Sequence, residues 1–482
     1  MGCLIGLCLV SAMLSRLSFI VRPLDADGAM FIYMGKLVSQ GGRIGAELID
    51  NKFPTVGLMT SACWRAFGDR WPAYVLLQAA MTLTGAFLLG RSAGRNIGTH
   101  AALPAGLFAL VYLNFNFAVF GGFQLETIQT FFSILAATAA LEAMNGDDAR
   151  DSFLVGLAAG VAAMIKPSGL AVLAAFGIAV IFRGRRVVAH AAAAAAGLAI
   201  PLAVTLLYLQ AADLLLVMPA ISRQIAGYAA NSAWEPWDFL KPVIVFIILG
   251  FPMLIRGVVF RRPRHRQAIG INPPIALFAI LWITLEAAGI AAQARMYAYH
   301  FLVLAAPAGL LFGLIPRKTR PWPLAAALLI PAFFSGGGGI QVLAHARDAL
   351  RPSASEDYLA AHTRPGETVW LNGMMRLLIR TDLQPGSRYL MNFLWANDDD
   401  APLKFCNAML SDFDQRRPKY IVLPTQFDRY IHAQSDHIKE LGLRPTRKAN
   451  FIRAWMELRD YVQKNYRPEA QVEWETVYRR GS

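Results

Sequence analysis

The run "MGCLIGLCLVSAMLSRLSFI", residues 1–20, is followed almost at once by "RPLDADGAMFIYMGKLVSQGG", residues 22–42. The first stretch is apolar and close to the roughly 20 residues that a bilayer core requires. It has few basic residues ahead of the apolar part and no small-residue cleavage site, so it reads as a retained span and not as a removed signal peptide. The second stretch puts Asp25 and Asp27 just beyond that span. Met30, Phe31, Met34, Leu37 and Val38 then keep helical spacing until Gly41 and Gly42 end the run. This predicts a helix over 27–40 lying on the outer membrane surface. Asp27 falls at its N-terminus, where a carboxylate is a favoured cap and suits the positive end of the helix dipole. A carboxylate so placed is equally open to chemistry.

Working outward, apolar runs recur through residue 343 and then stop. The 482-residue chain is 56% hydrophobic and only 16% charged, against about a quarter charged in soluble proteins. Spans are expected near 3–20, 72–91, 101–119, 124–142, 152–165, 168–183, 188–209, 240–257, 272–291, 299–315 and 321–341. The fold class is therefore an α-helical integral membrane protein of about 11 transmembrane helices.

The formal charge of +14 does not point to nucleic acid, because its basic residues gather in short loops between spans. Arg183, Arg185 and Arg186 form one cluster; Arg256, Arg261, Arg262, Arg264 and Arg266 form another; Arg317, Lys318 and Arg320 form a third. Such clusters mark the cytoplasmic side. With an odd number of spans, the N-terminus is expected in the cytoplasm and the C-terminal region outside, across an inner (cell) membrane. The acidic loop "EAMNGDDARDS" on the predicted inner side counts little in that rule. Cys3, Cys8, Cys63 and Cys406 have no metal-type spacing and suggest no disulfide framework.

The expected organisation is a transmembrane catalytic domain over 1–343 and an external α/β domain over 344–482. "SGGGG" at 335–339 is the one flexible-looking seam, and "ETVWLNG", "SRYLM" and "KYIVLP" read as short strands beyond it. Two further segments face outward: 21–71, which carries the acidic motif, and 210–239, whose Trp234 and Trp237 suit an interface.

After the acidic motif come "ELIDNKFPTVGLM" and "AFGDRWPAYVLLQAA", then "QLET" at 124–127, "AGVAAMIKPSG" at 159–169 and "ARMYAYHFLVLAAPAG" at 294–309. The tail carries "RPGETVWLNG" and "RRPKYIVLP". This layout resembles the GT-C membrane glycosyltransferases, in the bacterial branch of protein O-mannosyltransferase-like and lipid A aminoarabinose transferase-like enzymes. Asp27, Tyr33, Gly35 and the "DNKFP" of Asp50 to Pro54 match the family's first outer loop. Gly28 stands where the family commonly has a glutamate, Asn51 where the aminoarabinose transferases have an acid, and Phe53 in place of the first proline of "K-P-P".

The resemblance implies transfer of a sugar from a polyprenyl-phosphate donor, and topology agrees. Nucleotide sugars stay in the cytoplasm, whereas a flipped lipid-linked sugar reaches the outer face. The acceptor would be a hydroxyl of a protein, lipid or glycan; membrane lipids surround the protein, and no nucleic-acid partner is expected. Asp27 is the candidate base that deprotonates the acceptor as it attacks the anomeric carbon, which would invert that centre. Asp25 and Glu126 are candidates for offsetting charge in an oxocarbenium-like transition state. Asp25 also reads as an ordinary loop residue, and Glu126, costly if unpaired near a span end, as one half of a structural hydrogen bond.

Lys52, at the family's lysine position, is the leading candidate for the donor phosphate, with Arg295, His300 and Lys166 beside it. Each of these could equally serve as an interfacial anchor. Carboxylate oxygens suit a hard divalent cation, but with Gly28 and Asn51 in place of acids no metal and no other cofactor is expected. Two alternatives stand beside the leading one. One is a membrane transferase of another group at the same face. The other is a secondary transporter, which would favour mid-membrane charges and paired repeats, features this chain lacks.

Overall fold

The computed structural model describes residues 2–22, 24–50, 52–115, 122–216, 218–230, 273–293, 297–314, 322–345, 352–391, 399–440 and 445–481. The expected span at 240–257, the basic clusters at 256–266 and 317–320, Trp234, Trp237 and Arg295 lie outside the described residues.

The chain divides into two compact units. One comprises Met1–Arg22, Trp71–Tyr208 and Pro236–Ala349; the other comprises Pro23–Arg70, Leu209–Glu235 and Leu350–Ser482. The segments expected as outer loops thus fold together with the C-terminal region.

In the first unit, helices occupy every expected span position among the described residues. Five are long and apolar enough to cross a bilayer: Gly2–Ile20, Trp71–Asn96, Leu125–Gly146, Val187–Ala211 and Pro273–Ala292. Shorter apolar helices cover Thr99–Leu113, Pro167–Arg183 and Ala298–Gly313. The "SGGGG" run is not a seam. It lies inside the helix Trp322–Ala344, and a Cβ at Gly339 would sit 2.6 Å from the Leu14 carbonyl oxygen. Small residues let two membrane helices approach closely, since packing rather than a hydrophobic driving force holds them together in lipid.

In the second unit, the helix at the acidic motif spans Ala26–Ser39, as its spacing predicts. It is not an interfacial helix, because Gly28 through Lys36 are all buried. It packs against Thr55–Phe67 and against Met375–Arg380. Lys36 closes the second contact: its Nζ donates to the carbonyls of Leu378 at 2.7 Å and Thr381 at 2.6 Å, at the C-terminal end of Met375–Arg380. A cation there satisfies orphan carbonyls and the negative end of the dipole.

The sheet is five-stranded: β1 (Thr368–Leu371), β2 (Gln384–Pro385), β3 (Tyr420–Pro424), β4 (Tyr466–Val472) and β5 (Glu475–Arg480). Its order is β2-β1-β3-β5-β4, with β1 parallel to β2 and β3, and β5 antiparallel to β3 and β4. "ETVWLNG" and "KYIVLP" are β1 and β3. "SRYLM" at 387–391 forms no strand. Ser387 Oγ and the Arg388 amide both donate to Asp412, at 2.9 and 3.0 Å, so the side chain of Asp412 holds this segment where a ladder would.

Candidate functional site

In the second unit, Asp25 and not Asp27 caps the helix. Its Oδ2 accepts from the Gly28 amide at 3.0 Å, and its backbone is extended, as a cap requires. Burial pushes the Asp25 carboxyl up to about 6, partly opposed by the Gly28 amide and reinforced by the charge of Asp27. Asp27 sits in the first turn, partly exposed. Among the described residues its carboxylate has no hydrogen-bond or ion-pair partner.

The two glycines of the motif are explained by close approach. A Cβ at Gly28 would stand 2.8 Å from the capping Oδ1 of Asp25, so a side chain where relatives carry glutamate would disturb the cap. A Cβ at Gly35 would stand 2.4 Å from the Thr60 carbonyl oxygen, where the helix crosses Thr55–Phe67. Tyr33 is buried, and burial raises its phenol far above its ordinary value, so it offers no proton chemistry near neutrality.

"DNKFP" is a built turn. Buried Asp50 accepts the Lys52 amide at 3.0 Å, a side-chain bond to the backbone two residues on that fixes the turn locally. Pro54 then leads into the helix Thr55–Phe67. The Lys52 ammonium lies 3.9 Å from Asp50 Oδ1 and 5.9 Å from the centre of the Phe31 ring. Phe31 is one turn beyond Asp27 on the same helix face, so Lys52 and Asp27 share one side of that helix.

In the first unit a second cluster forms. The helix Ala149–Ile165 must stop before Pro167, because a residue preceding proline is driven to extended backbone; Lys166 has φ −145° and ψ 138°. Its ammonium pairs with Glu126 Oε1 in the first turn of Leu125–Gly146. The His300 Nε2 lies 3.9 Å from the same oxygen, and the Tyr299 ring centre is 6.0 Å from the Lys166 ammonium. Gln129 Nε2 donates to Ser168 Oγ at 2.8 Å, clipping the break to the helix. Of the residues expected from sequence, the structure therefore brings Glu126, Lys166 and His300 together in this unit, and Asp25, Asp27 and Lys52 in the other.

Two groups escaped the sequence reading. Glu286 is fully buried in Pro273–Ala292; its Oε1 accepts from Trp282 Nε1 at 3.3 Å, and its Oε2 is buried without a partner among the described residues. Lys166 acts on it electrostatically. Arg16 is likewise fully buried. It donates to Asn114 Oδ1 at 3.0 Å, Gln78 Oε1 at 3.0 Å and the Leu113 carbonyl at 2.7 Å. Gln78 passes the connection on to the Gln124 carbonyl at 2.7 Å, and Gln124 is the N-cap residue of the Glu126 helix. The available signal was a single charge inside an apolar span, which marks a functional or network position. Among the described residues no three His, Cys, Asp or Glu side chains gather as a metal site would need.

Residues 51–209 match the dolichyl-phosphate-mannose-protein mannosyltransferase family. No curated protein matches the chain. Among solved structures, the crystal structure of ArnT from Cupriavidus metallidurans bound to undecaprenyl phosphate superposes with a TM-score of 0.61 at 14% identity. It covers 99% of this chain and 98% of that one. At this identity the likeness establishes the fold. The resemblance read from the sequence holds: the chain has the fold of a GT-C membrane glycosyltransferase of the ArnT-like branch, and carries the mannosyltransferase family's pattern over residues 51–209.

Proposed function

We propose that this protein is a glycosyltransferase that moves a sugar from a polyprenyl-phosphate donor to an acceptor hydroxyl at the outer face of the membrane, inverting the anomeric centre. The carrying observation is the family match over 51–209, which takes in Lys52, Glu126 and Lys166. The ArnT structure that shares this fold holds undecaprenyl phosphate, which supports a lipid phosphate as the leaving group.

Asp27, partly exposed and uncommitted, takes the acceptor proton. The acceptor oxygen then bonds to the anomeric carbon as the bond from that carbon to the lipid phosphate breaks. Lys52 and Lys166, with His300 and Arg295, stabilise the departing phosphate; Glu126 holds the Lys166 ammonium in place. The acceptor is a hydroxyl of a protein, lipid or glycan. The protein sits in the inner membrane with its N-terminus in the cytoplasm and its C-terminal region outside; alkaline phosphatase fused after residue 350 should be active, and an intact but inactive fusion would overturn that orientation.

The direct test supplies purified protein with a panel of radiolabelled polyprenyl-phosphate sugars and an envelope extract. Label should pass from lipid to acceptor with release of the polyprenyl phosphate. Transfer of a phospholipid-derived group, with every sugar donor left intact, would establish the other kind of transferase instead.

A further inference from the structure

The helix Trp71–Asn96 has an apolar groove on each side. One, of about 700 Å³, runs between it, Leu125–Gly146 and Ala149–Ile165, with Leu135 and Leu154 among its walls. The other, of about 510 Å³, runs between it and Thr99–Leu113 and is walled by Phe87 and Leu103. Both reach Arg91, and the larger also reaches Arg95. These arginines are four residues apart on one helix face. They are exposed, and among the described residues neither has a hydrogen-bond or ion-pair partner. Glu142 and Asp151 line the larger groove with them, and Asn96 Nδ2 fixes Glu142 Oε1 at 3.1 Å.

This polar end is far from the catalytic cluster. Glu142 follows Glu126 by 16 residues on one helix (142 − 126), a separation of about 24 Å at 1.5 Å per residue. Arginines near a helix C-terminus complement the dipole and help set topology, but those roles need neither a groove nor two carboxylates. Two cations and two carboxylates together are neutral, and they head apolar channels. That combination matches an amphiphile whose head carries one phosphate and one ammonium.

We propose that these grooves hold a single phospholipid with a phosphoethanolamine head. Its phosphate lies on Arg91 and Arg95, its primary ammonium on Glu142 and Asp151, and one acyl chain on each side of the helix Trp71–Asn96. The carboxylates select the zwitterionic head: a phosphoglycerol head would leave them unpaired, and a trimethylated ammonium has no N–H to give them.

The test is native mass spectrometry of the full-length protein in detergent, titrated with phosphatidylethanolamine, phosphatidylcholine and phosphatidylglycerol of matched chains. Wild type should retain one phosphatidylethanolamine in preference to the other two. Arg91→Ala with Arg95→Ala should weaken that retention about tenfold, the equivalent of one charge-assisted contact. Glu142→Gln with Asp151→Asn should shift the preference to phosphatidylglycerol. Leu135→Trp keeps every charge but fills the larger groove, and should also expel the lipid. Equal retention of all three lipids, a wild-type preference for phosphatidylglycerol or phosphatidylcholine, or retention unaffected by both the arginine and the tryptophan variants would each overturn the site and leave ordinary boundary lipid.

Discussion

Glu126 and Asp27 are both carboxylates in the first turn of a helix, yet they are held in opposite ways. Glu126 is buried and committed to Lys166, with His300 nearby. Asp27 is half-exposed, and the cap it would otherwise supply is made by Asp25. A general base needs a free lone pair aimed at a proton; a carboxylate inside an ion pair has spent its lone pairs on the cation. The comparison therefore separates the two acids by role. Asp27 does proton chemistry, and Glu126 positions a lysine.

The largest expected effect breaks the comparison on the Asp27 side. Asp27→Asn keeps size and hydrogen-bonding shape but cannot accept the acceptor's proton. Sugar transfer should fall roughly 10²–10⁴-fold, the range for a lost general base, with unfolding unchanged. Wild-type turnover in the purified variant would remove Asp27 from the mechanism.

On the other side, Glu126→Gln leaves the Lys166 ammonium buried without its anion. Breaking one side of a buried pair destabilises by about 3–5 kcal/mol, read from equilibrium unfolding in detergent. Adding Lys166→Met should restore most of that stability, because no unpaired charge remains, while transfer stays low. A single variant as stable as wild type would mean that the pair is not buried in the working protein.

How much of this could be read beforehand follows a physical line. The helix at the acidic motif was legible because its apolar spacing is local. Its burial on all sides was not, since Met375–Arg380 lies more than 300 residues away in sequence. Asp25 and Asp27 satisfy the same capping preference, and only the extended backbone at Asp25 decides between them. "SGGGG" misled because glycine runs are flexible in water, whereas between membrane helices they permit contact. The hairpin of β4 and β5 was missed because "YRPEAQVEWETVYRR" is rich in charge and contains Pro468, which suits only an edge or a bulge; the ladder shifts register between Pro468 and Ala470. In the candidate site, Glu126, Lys166 and His300 were named from motifs, but the pairing that sets the role of Glu126 is a contact across 40 residues. Arg16 and Glu286 stood in plain view as charges in spans, yet spacing gives a buried charge no partner.

A smaller effect sharpens the picture on the Asp27 face. Lys52→Ala should weaken donor binding by about 1.5–3 kcal/mol, the range for one hydrogen bond to a charged group, with turnover at saturating donor less affected. Lys52→Arg should restore little, because a planar fork does not replace a compact ammonium. An unchanged donor KM in the alanine variant would confine Lys52 to its place over Phe31.

The smallest effect concerns Asp25, and it tests whether cap and base are separate residues. The folded carboxyl titrates at about 6 against an ordinary value of 3.8, chiefly because it is buried. The folded state therefore holds the proton more tightly than the unfolded chain does. Between about pH 4 and pH 6 folding takes up protons, so stability should fall as pH rises through that window and level off above it. Asparagine caps a helix about as well as aspartate and carries no charge to bury. Asp25→Asn should thus be neutral or slightly stabilising at pH 7 and should flatten the decline, with sugar transfer close to wild type. Asp25→Ala loses the bond to the Gly28 amide and should cost about 1 kcal/mol. Thermal unfolding of the three proteins from pH 4 to pH 7 reads both effects. A transfer defect in Asp25→Asn as deep as that of Asp27→Asn would merge the two aspartates into one catalytic pair and end the division of labour drawn between them.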